Sequence, residues 1–305
     1  MANKLEIYTV FIILVIGFTV LGLGCTGKNN GGFPSDGNES QEVIPQGTTA
    51  ADLQSIYVKG SDTIKPLVEV EAEEFMKKNP GKTIIVKGGG SSIGISSLID
   101  GTVDIADASR EMNENETASA QKNRINPIAY VIAYDGITVI VNPLNPVSNL
   151  NFTQVRGIYN GSISNWKEVG GQDTPIVVNC RDSNSGTYKD FQTLVMSGDN
   201  YRADALTQAD TGAIVINVSQ TSNSIGYIGF SYLDNSTKAL SLEKGNSPVS
   251  PSYETIRNGA YPLSRALYMY TNGGAKGLTK EFIDFIRSDQ GQNIATVAAF
   301  IPLKK

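Results

Sequence analysis

A chain of 305 residues that is 40% hydrophobic and 18% charged has room for one large domain or two ordinary ones, each able to bury a core, and is not a disordered polymer. A formal net charge of −5 without a basic stripe excludes a nucleic-acid surface, so any anion the chain binds is held by local donors. There is no histidine, and Cys180 is the only cysteine after Cys25; serine triads, histidine-bearing metal motifs, a base-activated cysteine and an internal disulfide are thereby removed.

From the N-terminus, a short polar start containing Lys4 leads into IYTVFIILVIGFTVLGLG (7–24), which stops at Cys25. That run is long for a signal sequence and just long enough to span a bilayer. Gly22 and Gly24 before Cys25 fit lipoprotein processing, with 1–25 as the signal segment and Cys25 as the lipidated terminus; an uncleaved anchor helix is the other reading. Either one places the remainder outside the membrane. Residues 26–53 are Gly, Asn, Ser, Gln and Pro with few large apolar side chains, the composition of a flexible linker.

Order is expected from SIYVKG (55–60), a strand. In SDTIKPLVEVEAEEFMKKNPG, Pro66 lies in the first turn, acidic residues fill the first half, Lys77 and Lys78 the end, and Asn79-Pro80-Gly81 stops the run. These are the signals of a helix, with Val68, Ala72, Phe75 and Met76 on one face. KTIIVK (82–87) reads as a strand, GGGSS (88–92) as a turn, IGISSLIDG as a short helix closed by Gly101, and VDIADAS (103–109) as a third strand. This alternation argues for an α/β sheet that is at least partly parallel. PIAYVIAYDGITVIVNP (127–143) has the look of strands passing from one lobe into another. Beyond it come a helix around 152–159, the SNWKEVGG turn (164–171), the strand PIVVNC (175–180), then RDSNSGTY and a helix. IGYIGFSYL (225–233) and RALYMYT (265–271) are strands, and two terminal helices follow, the first with Phe282, Phe285 and Ile286 on one face.

Two phosphate-loop patterns fail on inspection. Gly81-Lys82-Thr83 has Met76 where a Walker loop needs its first glycine, and GGGSSIG has Ile93 at the third glycine of a dinucleotide fingerprint. What recurs is a strand ending in glycine and hydroxyl residues where a helix begins: GSDT (60–63), GGGSS (88–92) and NSGT (184–187). A helix N-terminus offers unpaired N–H groups and partial positive charge to an oxyanion, hydroxyls add donors, and glycine lets the backbone come close. Each turn alone is as well explained by an ordinary N-cap. Together, at strand ends that face one crevice of an α/β sheet, and with the planar fork of Arg181 beside the third, they point to an anion clamp.

GSDTIKPLVE, GGGSSIGISSLIDGTVDIADASR, IYNGSISNWKEVGG, RDSNSGT, IGYIGFSYL and YPLSRALYMYT, in this order from 55 to 303, resemble the phosphate-binding lipoproteins of phosphate-specific ABC importers. The resemblance implies an α/β, two-lobed periplasmic-binding-protein fold of type II. Each lobe would be a mixed, mostly parallel sheet flanked by helices, with 54–135 plus 262–305 as lobe I and 136–261 as lobe II. It implies a monomer that closes on one inorganic phosphate and delivers it to an ABC permease, with no cofactor, no metal and no catalysis. Carried over by position, the first lobe supplies Ser61, Thr63, Ser91, Ser92, Ser109 and Arg110, and the second Arg181, Ser185, Gly186 and Thr187.

Two positions depart from the family. Where some members follow the serine of the third strand with an aspartate that accepts the proton of phosphate, this chain has Arg110; Asp104 or Asp107 would then be the acceptor. Where the family often braces the arginine with an aspartate, this chain has Ser183, so Asp182 or a group elsewhere must do it. A buried acceptor facing an unprotonated anion costs on the order of a few kcal/mol, and this penalty is what rejects sulfate. A binding protein for sulfate, molybdate or tungstate is the nearest rival reading, with an extracellular phosphoester hydrolase and a sensory or adhesive module behind it.

Overall fold

The computed structural model describes residues 54–303 other than 244 and 246; the expected signal segment with Cys25, and the linker 26–53, lie outside the described residues. In chain order the elements are β1 (Gln54–Gly60), α1 (Lys65–Lys78), β2 (Lys82–Lys87), α2 (Ser91–Ile99), β3 (Ile105–Ala108), α3 (Glu114–Lys122) and β4 (Pro127–Val141). Then come β5 (Asn149–Asn151), α4 (Phe152–Asn160), β6 (Val177–Arg181), α5 (Gly186–Leu194), β7 (Leu206–Gln208), α6 (Thr211–Gln220) and β8 (Ser224–Gly229). The chain finishes with β9 (Lys238–Ala239), β10 (Ser241–Glu243), β11 (Pro248–Val249), α7 (Tyr253–Arg257), β12 (Ser264–Asn272), α8 (Gly277–Arg287) and α9 (Asp289–Val297).

A nine-stranded sheet runs in the order β2-β1-β3-β12-β4-β8-β6-β7, with β9 also on β4. Its flanks are parallel, β1 with β2 and β3 on one side and β6 with β7 and β8 on the other. The middle is antiparallel, because β4 and β12 run against each other and against the strands beyond them. β4 explains how two cores share one sheet: Pro127 to Gly136 pair with β12, and Ile137 to Val141 pair with β8. β5, β10 and β11 form a separate small sheet.

Burial divides along the same line. Ile56, Val58, Leu67, Phe75, Leu267 and Phe282 belong to one apolar cluster, and Val139, Tyr159, Trp166, Phe191 and Tyr227 to another; the parts built on them are called here the first and second lobes. Leu263 and Ile301, which the expected division places in lobe I, pack into the second cluster. Phe75 of α1 meets Phe282 and Phe285 of α8 edge-on at 5.5 and 5.6 Å. Burying such a ring stabilises the fold by about 1.5–3 kcal/mol, which ties the C-terminal helices to the first lobe.

The run at 225–233 departs from the strand expected over its whole length, for β8 ends at Gly229 and residues Phe230–Tyr232 form a 3-10 turn. That turn brings the Phe230 N–H onto Asp135 Oδ1 at 2.9 Å. Helix α1 has no side chain capping its start and no acidic residue in its first turn. Its amino end therefore carries no carboxylate of its own to compete for an anion.

Candidate functional site

Three of the strand–helix turns meet. Gly90 caps α2 with φ 96° and ψ 151°, a conformation open to glycine. Ser185 caps α5, its Oγ accepting from the Tyr188 N–H at 3.3 Å. The two helix starts then abut: the Ser92 N–H donates to Asn184 O at 3.1 Å. A Cβ on Gly186 would lie 2.4 Å from Ser91 Oγ and 2.6 Å from Ser109 Oγ. Ser91 Oγ also accepts from the Ser109 N–H at 3.1 Å. From the first turn, Thr63 Oγ1 lies 3.1 Å from Thr187 Oγ1. Ser61, Thr63, Ser91, Ser109, Arg110, Arg181, Ser185, Gly186 and Thr187 are buried, while Ser92 is half-buried.

Arg181 ends β6 with 1% of its surface exposed. Its backbone N–H donates to Tyr227 Oη at 3.2 Å, at the edge of a packed group of rings that includes Tyr159, Phe191 and Tyr201. Nη1 donates to Thr211 Oγ1 at 3.2 Å, and Nη2 to Ala209 O at 3.0 Å and to Asp62 Oδ2 at 2.9 Å. Among the described residues Nε, which is buried, has no partner, a charged donor that a bound anion would satisfy. Asp182 stands 3.7 Å from Nη2, and Ser183 is exposed.

The other predicted residues separate into those brought to this cluster and those turned away. Asp104 is exposed, its Oδ2 accepting from the Tyr57 N–H at 2.8 Å. Asp107 is fully buried. Its Oδ1 accepts from the Ser61 N–H at 2.9 Å, while Oδ2 has no partner. Burial, opposed by the Ser61 N–H, pushes the Asp107 carboxyl up to about 8. Arg110 reaches Glu116 with both terminal nitrogens at 2.7 Å, and its Nη2 also donates to Ser92 Oγ at 3.0 Å. Only Arg110 Nε is left unpartnered and buried. Its fork is thus spent on a carboxylate of α3.

The sequence reading missed Arg265, Asp135 and Asp62. Arg265 of β12 donates from Nη2 to Asp135 Oδ2 at 2.9 Å and to Thr187 Oγ1 at 3.1 Å. Thr187 Oγ1 thus accepts from Arg265, and its own proton has the Thr63 hydroxyl or an anion to donate to. Asp190 of α5 lies 3.5 Å from Arg265 Nη1, and burial pushes its carboxyl up to about 6 against the pull of Arg265 and Arg110. Chemically, the cluster offers two helix N-termini, several hydroxyls and unpartnered guanidinium nitrogens, buried where the two lobes meet, a donor set that suits a small tetrahedral oxyanion. Among the described residues no group of three or more His, Cys, Asp and Glu side chains is placed to hold a metal ion.

Comparison with known proteins agrees with this architecture. A family model described as a PBP superfamily domain matches residues 45–290. The phosphate-binding protein PstS of Bacillus subtilis is 31% identical over 303 residues, covering 99% of this chain and 94% of that protein. PstS of Staphylococcus aureus is 32% identical over 291 residues, covering 91% and 84%. Among solved structures, a Clostridium perfringens protein ascribed to phosphate ABC transport as a substrate-binding protein, with phosphate bound, is 35% identical with a TM-score of 0.73. It covers 82% of this chain and all 100% of its own. An ABC-type phosphate transport receptor from Vibrio cholerae is 32% identical with a TM-score of 0.69, covering 81% and 99%. On its sequence and on its two-lobed α/β fold, the chain belongs to the PBP superfamily, in the family of the PstS phosphate-binding proteins.

Proposed function

We propose that this protein captures inorganic phosphate between its two lobes outside the cytoplasm and delivers it to an ABC permease as a non-enzymatic, monomeric receptor. The observation that carries the reading is the meeting of the α2 and α5 starts at Gly186, beside a buried arginine with an unpartnered Nε. Ser91, Ser109, Ser185, Thr63 and Thr187 supply hydroxyls, Gly186 and Thr187 supply backbone N–H groups, and Arg181 supplies charge. Ser61 and Ser92 stand behind these. Arg110 acts through its Nε alone, its terminal nitrogens being held by Glu116. The lobes divide at 54–135 plus 262–305 against 136–261, the segregation of the two apolar clusters supporting this except at Leu263 and Ile301. Attachment to the membrane falls to the segment before residue 26, through a lipid on Cys25 or an anchor helix; among the described residues no helix is long and apolar enough to cross a membrane.

A second reading, a receptor of broader oxyanion range, is favoured by one observation. Asp107 is the remaining candidate for proton acceptor, and a carboxyl pushed up to about 8 is neutral at pH 7. A neutral carboxyl donates as readily as it accepts, so it does not penalise sulfate. The test is a thermal-shift and calorimetric titration of the protein, stripped of bound anion, with phosphate, sulfate, arsenate and molybdate. A ligand that binds only the folded chain raises its melting temperature by mass action. Phosphate and arsenate are expected to shift it most; no shift with phosphate refutes the function, and equal shifts with sulfate establish the broader range.

A further inference from the structure

A buried guanidinium needs a counter-charge, because a buried charge left unpaired is destabilising. Among the described residues of its own lobe, Arg181 finds no carboxylate within hydrogen-bonding distance. Its hydrogen-bond partners there are the Thr211 hydroxyl and the Ala209 carbonyl, both neutral, and the Asp182 carboxylate is 3.7 Å away, outside hydrogen-bonding range. Among the described residues, the only carboxylate that accepts a hydrogen bond from it is Asp62, at 2.9 Å. Asp62 lies between β1 and α1 in the first lobe. There its Oδ1 is fixed by the Gly89 N–H at 2.9 Å, and its carbonyl accepts from Tyr232 Oη of the second lobe at 3.0 Å. The brace of the anion-facing arginine therefore comes from across the cleft.

Resting on the function proposed above, we propose that Asp62 is a positioning residue that makes the grip of Arg181 conditional on closure. With the lobes apart, Arg181 keeps two neutral hydrogen-bond partners and the Asp182 carboxylate at 3.7 Å, and no carboxylate hydrogen-bonds its fork to fix its direction. When the lobes come together, the Asp62 carboxylate takes one edge of the guanidinium, and that fixes the direction in which Nε points. The ion pair also offsets the cost of burying Arg181, so part of the affinity for the anion is drawn from closure itself. An interaction formed only after closure holds a bound anion in and has no part in its first encounter. It acts on the dissociation rate and leaves association alone.

Asp62→Asn separates this from other roles, since asparagine keeps an oxygen for the Gly89 N–H and loses the charge facing Nη2. Association and dissociation rates of phosphate and of sulfate are measured by stopped flow on the full-length protein in detergent, wild type and D62N, with the ligand-free melting temperature as control. Phosphate is expected to leave D62N about tenfold faster, the low end for a hydrogen bond between charged groups, with unchanged association. Sulfate is expected to weaken by the same factor, and the ligand-free melting temperature to stay within about 2 °C. Unchanged dissociation, slower association, or a large fall in ligand-free stability overturns the inference. Tighter sulfate binding by D62N also overturns it, by making Asp62 a direct acceptor facing the anion. A wild type that binds neither anion sinks the proposed function and this inference together; a wild type that binds phosphate while D62N matches it sinks the inference alone.

Discussion

Gly186→Ala probes the seam between the lobes at its tightest point. The added carbon would sit 2.4 Å from Ser91 Oγ, against the 3.4 Å or more of an ordinary contact, so the α5 start must retreat from α2 by about 1 Å. A retreat of that size takes two cross-lobe bonds out of range, the Ser92 N–H to Asn184 O and the Thr63–Thr187 hydroxyl pair, each 3.1 Å long. At about 1 kcal/mol net for each, closure loses about 2 kcal/mol, which weakens phosphate binding about 30-fold. The fold itself is not expected to suffer. Gly186 does not have a positive φ, it is the first residue of α5, and alanine is the better helix former. Isothermal titration with phosphate gives the affinity, and a thermal melt of the ligand-free protein gives the fold. A loss of less than threefold would refute the claim that the binding-competent state packs as described. So would a ligand-free melting temperature that falls in step with the affinity.

Arg265→Met leaves Asp135, 1% exposed, without its charged partner and should cost about 3–5 kcal/mol in denaturant unfolding; adding Asp135→Asn should recover part of it, and equal costs for the single and double variants would contradict the pairing. Because Asp107 is pushed up to about 8 by burial, it ionises as pH rises through that value and only then becomes an obligatory acceptor. The preference for phosphate over sulfate in competition titrations should therefore grow from pH 7 to pH 9, and Asp107→Asn should flatten it. Glu71 of α1 is fully buried, neither carboxylate oxygen has a partner, and burial holds its carboxyl well above the usual range. The folded chain thus keeps a proton that the unfolded chain has released, so stability falls as pH rises above the unfolded value. Glu71→Leu should make that slope shallower, the part set by Asp107 and Asp190 remaining, and raise stability by about 1–3 kcal/mol at pH 7, as read from melts at pH 5 to 8.

The strand–turn–helix rhythm was legible because its signals are local: glycine and hydroxyl turns, Pro66 near a helix start, lysines at its end. The three turns at 60–63, 88–92 and 184–187 could be recognised one by one for the same reason, and their convergence follows from the parallel flanks of the sheet. Asp62 was in plain view within GSDT, but its partner is Arg181, and no spacing announces a contact made across a cleft. Arg265 read as one residue of a strand, since its roles toward Asp135 and Thr187 depend on β12 lying beside β4. Asp104 and Asp107 could be told apart only by where β3 begins: it starts at Ile105 and is buried along its whole length, which takes Asp107 inside, while Asp104 precedes the strand and is exposed, its Oδ2 accepting from the Tyr57 N–H.

The seam at Gly186 also bears on how such a receptor changes over generations. The Ser92 to Asn184 bond is made by main-chain atoms, and the N–H groups at a helix start are present whatever side chains the helix carries. Short of proline, which lacks the N–H, substitutions cannot delete those donors; they can only crowd them, as a side chain on Gly186 would. Asp62, Asp107 and Arg110 are free of that protection, for each acts through its side chain. On the proposed site, exchanges at Asp107 and Arg110 would retune which oxyanion is preferred and exchanges at Asp62 how long it is held, while the main-chain cradle persists.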